Sequence, residues 1–228
     1  MNLSIASTKL LQFGRLFRLR FLAFLTITSF LFIPLPVKAH HPLGGGTPTN
    51  FLEGFLSGIG HPVIGVDHLV FVISVGLLAA ITHQGIKIPL AFAFAAMAGT
   101  GLHLMEIDLP VPELIISGSV LLFGIFLALK NRPQSLILTG LAAIMGLFHG
   151  YAYGEAIFGA EITPLVAYLA GFTAIQLLIA TAAFFVGKTL MQQASEQPNL
   201  PFRFAGFTIC GVGATFLLTL MIETIFPV

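Results

Sequence analysis

His61-Pro62-Val63-Ile64-Gly65-Val66-Asp67-His68 leads directly into Leu69-Val70-Phe71-Val72-Ile73-Ser74-Val75-Gly76-Leu77-Leu78-Ala79-Ala80-Ile81. The second half is an apolar run of the kind that spans a bilayer as a helix, which takes about 20 residues. The first half sets two imidazoles and a carboxylate at its mouth. Polar groups there are expensive unless paired, so an ionisable residue at membrane depth is a functional candidate by default. The segment therefore predicts a helix in lipid with a chemical site at one end.

The rest of the chain fits lipid as its solvent. Hydrophobic residues make up 57% and charged residues 8% of the 228, and mean hydropathy is +0.99. Soluble domains carry about 25% charged residues. A net charge of +1 with no basic patch argues against a nucleic-acid partner. Cys210 is the only cysteine, so neither a disulfide framework nor a thiolate metal cage can form within one chain. Further apolar runs predict spans near 62–82, 86–105, 112–129, 135–153, 162–186 and 203–225, with 51–60 as a short preceding half-helix. The fold class is all-α: a polytopic membrane helix bundle of about six transmembrane helices.

Before these runs, Lys9, Arg15, Arg18 and Arg20 precede an apolar stretch from Phe21 to Phe32. Pro34 and Pro36 end any helix there. Val37-Lys38-Ala39 has the residues a signal peptidase reads. Residues 1–39 are expected to be a cleaved signal peptide and 40–228 a single transmembrane domain; the competing reading is an uncleaved first span. With the mature N-terminus outside, inner loops carry Lys87, Lys130, Arg132, Lys188 and Arg203. The outer segments carry Glu53, Glu106, Asp108, Glu113, Glu155 and Glu161, and no Lys or Arg. This obeys the positive-inside rule at every loop. It predicts an inner (cytoplasmic) membrane protein with both mature termini outside.

Six of the seven histidines fall at or near the outer face in this topology. On a continuous helix, His61 and His68 lie almost on one stripe, with Asp67 about 100° to the side. Pro62 predicts that His61 sits at a helix start or in an unwound turn. Asp67 either binds an ion or orients an imidazole. His103 and Glu106 are three apart, hence neighbours on a helix. His149 lies beside Gly146, Gly150 and Gly154, whose small-xxx-small spacing admits a close helix. Tyr153 follows four residues on, suited to hydrogen bonding, and Glu155 closes the run. His40 and His41 would flank a new α-amine after cleavage, a chelating terminus. Gln176 is read as packing between helices or as lining a path. The plainer reading of each group is a capped helix end, an interfacial pair or a hydrogen-bonded histidine in a glycine seam.

Two motifs carry a family resemblance. His61, five residues, then Asp67-His68 matches the first signature of the HupE/UreJ membrane proteins. Phe148-His149-Gly150-x-Ala152-Tyr153-Gly154, closed by Glu155, resembles the second, with tyrosine where that pattern has a further histidine. The resemblance covers essentially the whole mature chain. It implies secondary transport of a divalent transition metal, nickel or else cobalt, that supplies hydrogenase or urease, alongside metalloenzyme maturation proteins. It implies no enzyme and no tightly bound cofactor. Imidazole and carboxylate donors also suit zinc and copper. No phosphate-binding glycine loop is present, so no nucleotide drives the protein. Two other readings stand beside the carrier: a metal-binding membrane accessory that does not transport, and a membrane-embedded zinc hydrolase.

Overall fold

The computed structural model describes residues 46–83, 85–193 and 197–226. The expected signal peptide and His40 and His41 lie outside the described residues. All described residues belong to one unit, Ala39–Val228. Among the described residues, seven helices follow in order: α1 Phe51–Ile64, α2 Val66–Ala80, α3 Lys87–Leu104, α4 Pro112–Ala128, α5 Ser135–Glu155, α6 Ile162–Gln193 and α7 Leu200–Ile225.

Local chemistry explains where several helices begin. Asn50 caps α1 by accepting from the Glu53 amide at 3.0 Å, while the Glu53 carboxylate accepts from the Thr49 amide at 2.8 Å. One of the donors left open at a helix start is satisfied this way, and the second bond ties the entering chain to the first turn. Pro112 opens α4, where its missing N–H has no helical role to fill. The preceding Val111 takes a left-handed conformation at φ 45°.

Four helices (α3, α5, α6 and α7) are long and apolar enough to cross a membrane. The pair α1–α2 passes as a fifth, broken span, bent by 79°. Helix α4 is apolar over 17 residues, reaching about 26 Å of a hydrocarbon core about 30 Å thick. The chain is a multi-pass helical membrane bundle.

One expected boundary moves. Pro62 was expected to start the first span, yet His61 and Pro62 both sit inside α1, and the break falls three residues later at Gly65. Both residues are buried, and His61 is tied to α6. Tertiary packing therefore carries the helix through a proline that would otherwise end it.

Close contacts reveal the helix directions. Along α3 and α5, Phe92 meets Gly146, Ala96 meets Gly150 and His103 meets Gly154. These two helices are parallel, and the glycine seam of α5 is the face that receives α3. Thr100 pins it by donating to the Gly150 carbonyl at 2.7 Å. Helices α1 and α2 follow α6 in the same direction, with Gly54 at Pro164, Gly58 at Tyr168, Gly76 at Ala180 and Ala80 at Gly187. Helices α4 and α7 are antiparallel, with Leu121 at Gly213 and Ala128 at Gly206. This is the alternation expected of successive crossings joined by short loops.

The buried apolar residues form two clusters. The larger contains Phe71, Phe92, Phe123, Leu138 and Phe202. The smaller, built from Ala96, Tyr153, Ala156, Ile157, Tyr168 and Phe172, contains two tyrosines. The polar site lies among those tyrosines.

Candidate functional site

The site forms where the first span breaks. Gly65 ends α1 and begins α2 in an extended conformation, its N–H bonded to the His61 carbonyl at 3.0 Å. A side chain at this position would intrude on the next residues: a Cβ would lie 2.6 Å from Cδ2 of His68. Glycine therefore lets the His68 ring fold back over the break. Asp67 occupies the first turn of α2, at the positive end of the helix dipole. Its Oδ1 accepts from the His68 backbone N–H at 2.8 Å.

Two histidines from either side of the break turn inward and are buried. The His61 and His68 rings are 5.6 Å apart, centre to centre. The Tyr153 ring stands 5.0 Å from His61 and 4.6 Å from His68. The His149 ring is 4.9 Å from His68 and stacks on Phe71 at 4.4 Å. Three elements (α1, α2 and α5) thus converge on one small volume.

Hydrogen counting assigns the ring protons. Tyr168 donates its hydroxyl hydrogen to the Tyr153 carbonyl at 2.7 Å. Its oxygen, 3.1 Å from Nδ1 of His61, must then accept. A neutral His61 carries its proton on Nδ1 and a lone pair on Nε2. Ser119 on α4 donates to the Ile116 carbonyl at 2.6 Å, so its oxygen accepts from Nε2 of His149 at 3.0 Å. The other His149 nitrogen, Nδ1, lies 2.7 Å from Nδ1 of His68. With His149 protonated on Nε2, its Nδ1 accepts and His68 donates. A neutral His68 then also carries its lone pair on Nε2. In each of these rings the bond made by one nitrogen fixes the tautomer.

The arrangement divides the labour among residues of one type. His61 and His68 flank the break from either side. His149, fully buried with both nitrogens engaged, positions His68. Among the described residues, no three His, Cys, Asp or Glu side chains are grouped to hold an ion. Tyr153, whose ring stands beside both His61 and His68, is fully buried, and its hydroxyl has no hydrogen-bond partner.

The other predicted residues lie elsewhere. His103, half-buried in the last turn of α3, packs its ring on Tyr151 at 4.6 Å and Phe158 at 5.8 Å. Its Cβ rests against Gly154. Glu106 does not share a helical face with it: α3 ends at Leu104, and Glu106 is exposed in a left-handed conformation at φ 58°. Glu155 is exposed at the end of α5. The site also includes Ser119 and Tyr168, which the sequence reading did not single out. Each is a polar residue in an apolar span, and that is the signal they carry; their partners are set by the fold.

The family model described as HupE / UreJ protein matches residues 28–216. Protein HupE of Rhizobium leguminosarum bv. viciae is 26% identical over 194 residues, covering 84% of this chain and 96% of that protein. No solved structure matches. A multi-pass bundle with a histidine cluster at a broken first span, matched by that family over most of its length, belongs to the HupE/UreJ family.

Proposed function

We propose that the protein carries a divalent transition-metal ion inward across the cytoplasmic membrane, nickel first and cobalt second, for delivery to metalloenzyme maturation. The observation that carries this reading is the convergence of His61, His68, His149 and Tyr153 on a helix break. Irregular backbone at membrane depth is tolerated where it lines a cavity, and broken helices recur at transporter sites. Two imidazoles suit nickel and cobalt, and a small donor set keeps the ion exchangeable. A carrier needs that exchange more than it needs tight binding.

In this reading the signal peptide is removed and both mature termini face outward, as the loop charges direct. His40, His41 and the exposed acids Glu106, Glu155 and Glu161 raise the local cation concentration at the entrance. The ion sheds part of its water shell to His61 and His68. Asp67 supplies negative charge at the same break. The hinge at Gly65 changes the angle between α1 and α2 and opens the way inward. The protein's groups bind, orient and release; they break no bond.

The test is ion flux into proteoliposomes holding the purified full chain. Nickel, cobalt, zinc and copper are compared under an imposed proton gradient. Saturable nickel uptake that disappears in the His61→Ala and His68→Ala variants is the expected result. Nickel binding without flux would assign the protein to the accessory class instead. One tightly held zinc per chain, with hydrolysis of a lipid or peptide, would make it a hydrolase.

A further inference from the structure

We propose that Gln176 and Thr173 on α6 form a second, inner station for the same cation, an oxygen-only relay on the route inward from the histidines. This rests on the carrier reading and adds a site to it.

Gln176 is 1% exposed, deep in an apolar span where leucine would pack at least as well. Its Nε2 donates to the Phe172 carbonyl at 3.1 Å. A carbonyl oxygen can only accept, so the amide cannot be turned the other way. The side-chain oxygen, Oε1, is therefore aimed away from that bond, and it is buried with no hydrogen-bond partner. Oγ1 of Thr173 is buried and unpartnered as well. The two residues are three apart, hence neighbours on the helix surface. Orphaned buried acceptors are rare in native structures and call for a reason.

Position supplies the reason. Tyr168, Phe172, Gln176 and Ala180 recur at four-residue spacing along one ridge of α6. Tyr168 holds His61. The Phe172 ring is 5.4 Å from that of Tyr153. The Ala180 carbonyl is where Gly76 of α2 closes tightly on α6. Gln176 thus stands between the histidine cluster and the next closed contact, two turns or about 12 Å along the axis from Tyr168. The Gln176 oxygen can only accept, and the Thr173 hydroxyl oxygen beside it has lone pairs to offer, so the pair suits a positive guest. A partly hydrated divalent ion fits, because its bound waters donate to both oxygens. Neither residue carries charge, so the ion is held weakly and can leave.

The experiment compares the full-length wild type with Gln176→Met and Thr173→Val. It measures maximal nickel flux in proteoliposomes, nickel affinity of the purified protein, and Tm. Gln176→Met keeps the volume and removes the orphaned oxygen. Its flux should fall about tenfold, the effect of one good polar contact, while nickel affinity stays within about twofold because the histidines are untouched. Its Tm should hold or rise, since a buried unsatisfied acceptor has gone. A purely structural glutamine predicts the reverse, a lower Tm with flux and affinity falling together; that result, or unchanged flux, overturns the proposal. Thr173→Val covers the case in which Gln176→Met does not assemble. A flux loss of about threefold at constant Tm supports the relay, and unchanged flux overturns it. A wild type that carries nickel beside unaltered variants sinks only the relay. A wild type with no flux sinks the carrier reading and the relay with it.

Discussion

Two groups of the same residue types sit at one end of this molecule and behave differently. At the break between α1 and α2, His61, His68 and His149 are buried, and each imidazole has a defined hydrogen-bond partner. At the rim, His103 is half-buried among aromatic rings, and Glu106 and Glu155 are exposed. The first group is preorganised by α4, α5 and α6. The second is an aromatic-packed ring beside two exposed carboxylates. Burial makes the difference: the same side chain is held in a fixed orientation where water is excluded and is screened where it is not.

The sharpest way to break this contrast is to remove the two histidines proposed as ligands. His61→Ala and His68→Ala should each lower nickel affinity by more than about 100-fold, beyond the usual loss for a residue that only supports a ligand. Equilibrium binding to the purified protein measures it. Affinity within a few-fold of wild type would put the two groups on an equal footing.

The supporting residues come next. Ser119→Ala leaves Nε2–H of His149 without its acceptor in a buried site. It should destabilise the protein by about 1–3 kcal/mol and weaken nickel binding about tenfold through a mis-set His68. Thermal unfolding and nickel titration together test this; lost stability with unchanged affinity would break the link between His149 and His68.

Gly65→Ala separates geometry from fold. The backbone at Gly65 has φ −69°, open to alanine. The added methyl would instead push on the His68 ring. Stability should change by less than about 1 kcal/mol while nickel affinity falls several-fold. A variant that binds as the wild type does would show that the ring has room to move.

The smallest effects belong to the rim. Glu106→Gln combined with Glu155→Gln should lower the initial uptake rate by about twofold at low salt and leave it unchanged at high salt, because exposed charges steer ions and are screened. Saturating flux should not move. A large loss of maximal flux would transfer the rim into the site proper.

Much of this was legible before any fold was known. The apolar runs predicted the bundle, and the glycine spacing of α5 predicted a close helix, found to be α3. His61, Asp67, His68 and His149 were picked out by their cost at membrane depth. The break at Gly65 was misplaced at Pro62, because a proline's local preference says nothing of the burial that overrides it. The pairing of His103 with Glu106 assumed a helix that in fact stops at Leu104.

What the chain determined by itself was its solvent and its inventory. Hydrophobicity at a 20-residue scale demands lipid, and a polar group inside such a run demands a reason, whatever the packing. Which polar groups meet was decided only in three dimensions. His68 lies 81 positions from His149, and His61 lies 107 from Tyr168. No local pattern reaches that far, because a hydrogen bond acts over about 3 Å of space and takes no account of distance along the chain.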